Sequence, residues 1–192
     1  MVEFAFPNFV INNMKLIILD RDGVINEDSD DFIKSADEWV PIHGSLEAIS
    51  LLNRAGYRVI VISNQSGLGR GLFDIQTLNS IHEKMQQCLS VLGGHIESIF
   101  FCPHTPDDNC DCRKPKAGLF HDLQHRLNVS LNDVPVVGDS LRDLEAARVV
   151  SASPILVRTG KGEATLAQGK GLDDVPVFAD LAEFTHHLLA NQ

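Results

Sequence analysis

Residues 16–26 read LIILDRDGVIN. Four apolar residues run straight into Asp20-Arg21-Asp22 and then a glycine. An apolar run without alternation is the pattern of a strand covered on both faces, and the charge at its end marks where such a sheet meets solvent. Two further stretches repeat the design. YRVIVIS (57–63) leads into Ser63-Asn64, and VPVVGDS (134–140) ends in Gly138-Asp139-Ser140, with Asp143 four residues after Asp139.

Between these strands the apolar period changes. Ser45 to Ala55 carries Leu46, Ile49, Leu51 and Leu52 and stops at Gly56, and Gln76 to Leu92 carries Leu78, Ile81, Met85 and Leu89 before Gly93-Gly94. Both read as amphipathic helices with glycine stops. Ile96–Phe101, PILVRTG (154–160) and VPVFAD (175–180) read as strands, and Leu119–Leu127, Leu141–Val150 and Leu181–Leu189 as helices. Residues 102–116, with three prolines, read as irregular. Buried strands alternating with helices predict an α/β, Rossmann-like fold, a mainly parallel sheet with helices on both faces.

Composition sets the bounds. The chain has 192 residues, 44% hydrophobic and 22% charged, enough for one domain with a substantial core. A net charge of −10 excludes non-specific nucleic-acid binding, which needs a basic surface. No apolar run approaches the roughly 20 residues of a membrane helix, and the first residues lack a basic leader pattern, so a cytoplasmic protein is expected, without membrane partners and monomeric. Residues 1–13 show no clear period and are set apart as an extension of the domain 14–192. Either Met14 is a natural start, or the segment is a loose arm packing Phe4, Phe6 and Phe9 on the surface.

Ligands of open parallel sheets bind beyond the carboxyl ends of the strands. Asp20, Asp22, Ser63 and Asp139 are therefore expected to share one crevice. Carboxylates so close raise one another's pKa unless a cation sits among them, and a hard divalent ion such as Mg²⁺ meets that need. The order Asp20-Arg21-Asp22-Gly23, Ser63, Lys114, then Gly138-Asp139-Ser140 resembles the motifs of the haloacid dehalogenase (HAD) superfamily of phosphatases. D-x-D-G alone is also a turn signature; four motifs in order are specific. The resemblance implies that Asp20 is the nucleophile and Asp22 the general acid and base. It also implies that Ser63 and Lys114 hold the phosphoryl oxygens, with Mg²⁺ taken by Asp20, the Asp22 backbone carbonyl and Asp139. Asp143 is expected either beside the metal ligands or as a first-turn helix carboxylate favourable to the dipole.

A second constellation lies in CPHTPDDNCDC (102–112). Cys102, His104, Cys110 and Cys112 supply the four N/S ligands of a closed structural zinc site, the alternative being a disulfide from Cys102 to Cys110 or Cys112. The loop runs directly into Arg113-Lys114-Pro115, so ordering it fixes two cations. With SNQSGLGRG (63–71) it is similar to the zinc-loop, capless phosphatases of D-glycero-D-manno-heptose 1,7-bisphosphate, with the histidinol-phosphatase domain a close cousin. The pattern departs in a short loop and in Ser140, where some members carry lysine. That resemblance implies removal of the 7-phosphate from a bisphosphorylated heptose, in the supply of nucleotide-heptose for lipopolysaccharide.

No length remains between Ser63 and Lys114 for a large cap domain, so loops must select a small phosphorylated sugar. Arg70 and Arg113 are candidates for its second phosphate, with a solvated surface role as the alternative. Asn26 and Asn64 are candidates for sugar hydroxyls. Histidinol phosphate, which carries one phosphate and a cation, is the competing substrate. A non-catalytic zinc-stabilised binding module is the competing class, against which both aspartates of the motif speak. His121-Asp122-Leu123-Gln124-His125 mimics a metalloprotease helix but lacks the glutamate and a third ligand.

Overall fold

The computed structural model describes residues 15–191; the start at Met14 and the arm of residues 1–13 lie outside them. Six parallel strands form one sheet: β1 (Leu16–Leu19), β2 (Arg58–Asn64), β3 (Ser98–Cys102), β4 (Pro135–Gly138), β5 (Ser153–Val157) and β6 (Val177–Phe178), in the spatial order β3-β2-β1-β4-β5-β6. The order reverses between β1 and β4, the switch point where such sheets open a crevice. Leu19 pairs with both Val61 and Val137, so the chain leaves β1 flanked by the ends of its neighbours.

The uniform hydrophobicity of β1 follows from its two covered faces. Ile17 and Leu19 pack with α1 (Ser45–Arg54), α3 (Ile75–Val91) and α7 (Leu181–Ala190) through Ile49, Leu52, Ile81, Met85, Leu181 and Phe184. Leu16 and Ile18 face the other way, toward α4 (Gly118–Leu127) and α5 (Leu141–Val149) through Leu119, Phe120, Leu123, Ala146 and Ala147. Each fully buried Ile or Leu contributes roughly 1.5–3 kcal/mol, a large share of a domain's net stability.

Two helices carried no readable period. α2 (Ser66–Gly69) is a single turn within the glycine-rich stretch, where a Cβ on Gly67 would lie 2.2 Å from the Phe73 ring and one on Gly69 2.7 Å from Pro103 O. These glycines are packing requirements and hide the helix from a periodicity reading. α6 (Gly162–Gln168) has seven residues, two of them buried. A 3₁₀ turn, Pro106–Asp108, lies in the loop read as irregular. Trp39 is fully buried in the core beside α1 and α3, with Lys84 Nζ donating to Trp39 O and Ala36 O. Between Ser63 and Lys114 the described residues form only α2, α3, β3 and the 3₁₀ turn. No helix among the described residues is long and apolar enough to cross a membrane.

Candidate active site

Asp20 leaves β1 with its N–H donating to Val137 O at 2.9 Å, which locks the switch point. Beneath it lies Lys114, 3% exposed. Its Nζ is 3.1 Å from Asp20 Oδ1, 2.6 Å from Asp143 Oδ1, and donates to Ile62 O at 2.7 Å. Three acceptors match the three protons of the ammonium, so in this arrangement Lys114 positions Asp20 and does not face the cleft. Asn64 grips the backbone of Lys114 at both ends: Nδ2 donates to Lys114 O and Oδ1 accepts from Lys114 N, each at 3.1 Å.

Asp20, Asp139 and Asp143 each offer an oxygen within 4.8 Å of the others, and all three are buried. Burial pushes Asp139 up to about 8, with Asp143 and Asp20 adding repulsion. Burial likewise raises Asp20 to about 6 against the opposing pull of Lys114. Burial also disfavours the charge on Asp143, but Lys114 and Arg142 outweigh it and hold that carboxyl below its ordinary value. Asp143 serves both purposes weighed for it: it joins this cluster, and it caps α5 by accepting from Ser140 N at 3.1 Å and from Ser140 Oγ.

Asp139 Oδ2 accepts from Lys161 N at 2.8 Å, whereas Oδ1 is buried without a hydrogen-bond partner. A donorless carboxylate oxygen beside two more carboxylates fits a hard divalent cation. Gly23 has φ +81°, and a Cβ there would lie 2.1 Å from Asp139 Oδ2, so the D-x-D-G turn can pass this oxygen only as glycine.

Asp22 faces a different set of groups. Arg21, 1% exposed, donates to Asp22 from Nε at 3.0 Å and from one terminal nitrogen at 2.8 and 2.9 Å. Asn26 Nδ2 donates to Asp22 Oδ1 at 2.9 Å and Gln65 Nε2 to Oδ2 at 2.8 Å. Burial pushes its pKa up, but Arg21 and the hydrogen bonds of Asn26, Arg21 and Gln65 prevail and hold it below the usual value. Asn26 is fully buried behind Asp22, where it orients the carboxylate and does not line the cleft.

Asp20, Asp22 and Ser63 share one cleft of about 210 Å³ with Asn64, Arg70 and Arg113, whereas Asp139, expected among them, does not line it and instead sits behind it in the group with Asp20 and Asp143. Ser63 Oγ accepts from Gln65 Nε2 at 2.8 Å. Arg70 stands over the Phe32 ring at 5.9 Å, and Arg113 donates to His104 O at 3.3 Å, tying the cleft to the cysteine loop. Four residues near the aspartates were not singled out from the sequence: Arg21, Gln65, Arg142 and Lys161. Arg21 and Gln65 sit inside the motifs themselves, one between the two aspartates and one directly after Ser63-Asn64, which was the available signal. Lys161 comes from the turn after β5, where its Nζ lies 3.3 Å from Asp28 and 3.4 Å from Asp30.

Cys102, His104, Cys110 and Cys112 converge at the carboxyl end of β3. The sulfur atoms lie 3.2–3.6 Å apart, and His104 Nδ1 is 3.2 Å from Cys112 Sγ and 3.7 Å from Cys102 Sγ. Four ligands about 2.0–2.3 Å from a tetrahedral zinc ion stand roughly 3.3–3.8 Å from one another. The cysteines are free thiols, which removes the disulfide alternative in this structure. Among the described residues His121 and His125 belong to neither group of metal-type ligands.

Comparison with known proteins gives concordant findings. A family model described as HAD-hydrolase-like matches residues 111–184. The chain is 54% identical over 176 residues to a D-glycero-beta-D-manno-heptose-1,7-bisphosphate 7-phosphatase of Bordetella bronchiseptica, covering 92% of this chain and 98% of that one. It is 51% identical to the enzyme of the same name from Neisseria meningitidis serogroup A, covering 92% and 95%. The crystal structure of the B. bronchiseptica D,D-heptose 1,7-bisphosphate phosphatase, complexed with magnesium and phosphate, superposes with a TM-score of 0.91 over 93% of this chain and 100% of that one.

Proposed function

Since the chain belongs to the D-glycero-beta-D-manno-heptose-1,7-bisphosphate 7-phosphatase family of HAD-like hydrolases, we propose that it removes the 7-phosphate of that bisphosphate through an aspartyl-phosphate. The activity would serve nucleotide-heptose synthesis for lipopolysaccharide. The observation that carries the reading is the setting of Asp20: a buried carboxylate at the switch point, gripped by Lys114 and grouped with the donorless oxygen of Asp139.

Asp20 attacks phosphorus, the bond from phosphorus to the sugar oxygen breaks, and Asp22 gives its proton to the departing alkoxide. In the second half Asp22 takes a proton from water, the hydroxide oxygen bonds to phosphorus, and the acyl phosphate bond breaks to free phosphate and Asp20. The contacts of Asp22 favour its carboxylate, the form needed for the second half. An arriving phosphate anion raises its proton affinity for the first. Ser63 is placed to donate to a phosphoryl oxygen, while Lys114 holds the nucleophile. Mg²⁺, which Asp20, Asp139 and the Asp22 carbonyl would hold, would supply the positive charge that offsets repulsion between the carboxylate and the phosphate.

Zinc at Cys102, His104, Cys110 and Cys112 is structural in this reading, because all four positions are filled by protein. Three reduced cysteines at one site favour a reducing compartment such as the cytoplasm. The test is phosphate release with Mg²⁺ from D-glycero-D-manno-heptose 1,7-bisphosphate and histidinol phosphate side by side. A strong preference for the bisphosphate is expected; preference for histidinol phosphate, or turnover of neither, overturns the assignment.

A further inference from the structure

Gln65 follows the last residue of β2 and is 4% exposed, its backbone N–H donating to Cys102 O at 2.8 Å. It borders the catalytic cleft, yet its side-chain amide is committed to the protein. Oε1 accepts from Arg21 Nη2 at 3.0 Å, and Nε2 donates to Asp22 Oδ2 and to Ser63 Oγ, each at 2.8 Å. The sense of this amide is fixed by chemistry. A guanidinium has donors and no acceptor, so the atom that meets Arg21 must be the carbonyl oxygen. Arg21 is itself buried and anchored on the Asp22 carboxylate.

An amide nitrogen carries two protons, and here one goes to Asp22 and the other to Ser63. With Arg21 and Asn26, Gln65 therefore fixes the plane of the Asp22 carboxylate. Ser63 Oγ is made an acceptor toward Gln65, which leaves its single proton for a group in the cleft. In the reaction derived above, Asp22 serves the departing sugar oxygen and Ser63 a phosphoryl oxygen. These are the two sides of one breaking bond, and a single amide sets their relative placement.

We propose that Gln65 is a positioning residue for the phosphoryl transfer: it aims the general acid Asp22 and frees the Ser63 proton for the phosphoryl group, without itself contacting substrate. This rests on the phosphatase reading above.

The experiment compares kcat/KM for D-glycero-D-manno-heptose 1,7-bisphosphate with that for acetyl phosphate, in wild type, Gln65→Met and Gln65→Glu. Acetate departs as a stable anion and needs no proton, whereas the sugar alkoxide does. Because kcat/KM reads the steps up to the breaking of that bond, only the sugar ester should feel a misdirected acid. Gln65→Met should lower kcat/KM on the bisphosphate roughly 10–100-fold, the scale of losing support behind a reactive group. The bisphosphate-to-acetyl phosphate ratio should fall by about tenfold, within what general acid catalysis supplies. Gln65→Glu keeps the shape and the acceptor for Arg21 but sets an oxygen against Asp22 and draws the Ser63 proton to itself. It should be at least as slow as Gln65→Met, whereas a space-filling role would make the isosteric variant the milder one. An equal loss on both substrates, or Gln65→Glu close to wild type, overturns the proposal. If Gln65→Met does not fold, Gln65→Glu carries the same two-substrate comparison. If wild type leaves acetyl phosphate intact, single-turnover rates on the bisphosphate in an Asp22→Asn background decide: Gln65→Met should cost less there than in wild type, and a fully additive loss overturns the proposal. Wild type that cleaves acetyl phosphate but not the bisphosphate would instead overturn the substrate reading, and the order of Gln65→Glu and Gln65→Met on acetyl phosphate then decides the proposal through Ser63.

Discussion

The two ligand clusters of this molecule are assembled in different ways. Cys102, His104, Cys110 and Cys112 come from one short stretch at the end of β3, where Cys102 is fully buried and Cys110 and Cys112 pack against the core beside α4. Asp20, Ser63, Lys114 and Asp139 come from distant parts of the chain and meet because parallel strands end together at a topological switch. Zinc at the loop would therefore add order to that packing, whereas Mg²⁺ at the carboxylates, which the sheet forces together, would offset their charge. Removing a ligand from each should separate order from chemistry.

The largest effect is expected at the sheet-built site. Asp20→Asn keeps the shape but removes the proposed nucleophile, and turnover should fall by at least about 10³-fold, as for loss of other catalytic nucleophiles. Because a buried charge that repels Asp139 disappears, the variant should melt no lower than wild type and should keep its zinc. Activity within tenfold of wild type would remove the covalent mechanism.

Cys110→Ala should behave in the opposite way. Zinc content, read by elemental analysis, should fall, and the melting temperature should drop, since a structural metal contributes folding energy directly. Turnover should decline by about 10–100-fold, the usual scale for losing support behind a reactive group. The path is short: Arg113 donates to His104 O, and Lys114 follows it in the chain. Unchanged melting with unchanged metal would show that the loop orders itself, and the contrast between the two clusters would fail.

The same contrast explains what could be read in advance. The sheet and its long helices were legible because burial on two faces writes continuous apolar runs, and the cysteine loop because its four ligands are local. Asp20, Asp22, Ser63 and Asp139 were legible as polar strand ends. What escaped was side-chain direction. Asn26 looked available to a sugar, but its amide supports Asp22 from behind. Lys114 looked free for phosphate, but its ammonium is committed to Asp20, Asp143 and Ile62 O. Arg142 and Lys161 were passed over because a cation beside acidic neighbours reads as an ordinary surface charge until the packing shows which carboxylates are already taken.

The smallest effect concerns charge at the carboxylate cluster. Asp139 is raised from 3.8 to about 8 in the folded chain, so between these values the folded form holds a proton that the unfolded form has lost. Stability from this group is present at low pH and declines as pH rises toward 8. His82 acts oppositely: burial, and then Arg21, lower it from 6.5 to about 4, so it favours folding as pH rises across that interval. Asp20, at about 6, has largely titrated by 6.5, and Asp22 and Asp143 are held below the ordinary carboxylate value. Between 6.5 and 8 Cys110 also titrates, its thiol lowered from 9 to about 7, so it gains stability as pH rises and opposes Asp139. Measured as the difference between wild type and Asp139→Asn, protein dialysed free of Mg²⁺ but retaining zinc should lose up to about 1.4 kcal/mol of stability per pH unit there, or roughly 2–4 °C in melting temperature per kcal/mol for a chain of this size. Saturating Mg²⁺ should flatten this difference slope, because an ion on Asp20 and Asp139 would replace the proton. A slope of the other sign, or one indifferent to Mg²⁺, would mean that the sheet does not store this repulsion, and the distinction between a cluster that needs order and one that needs charge would be lost.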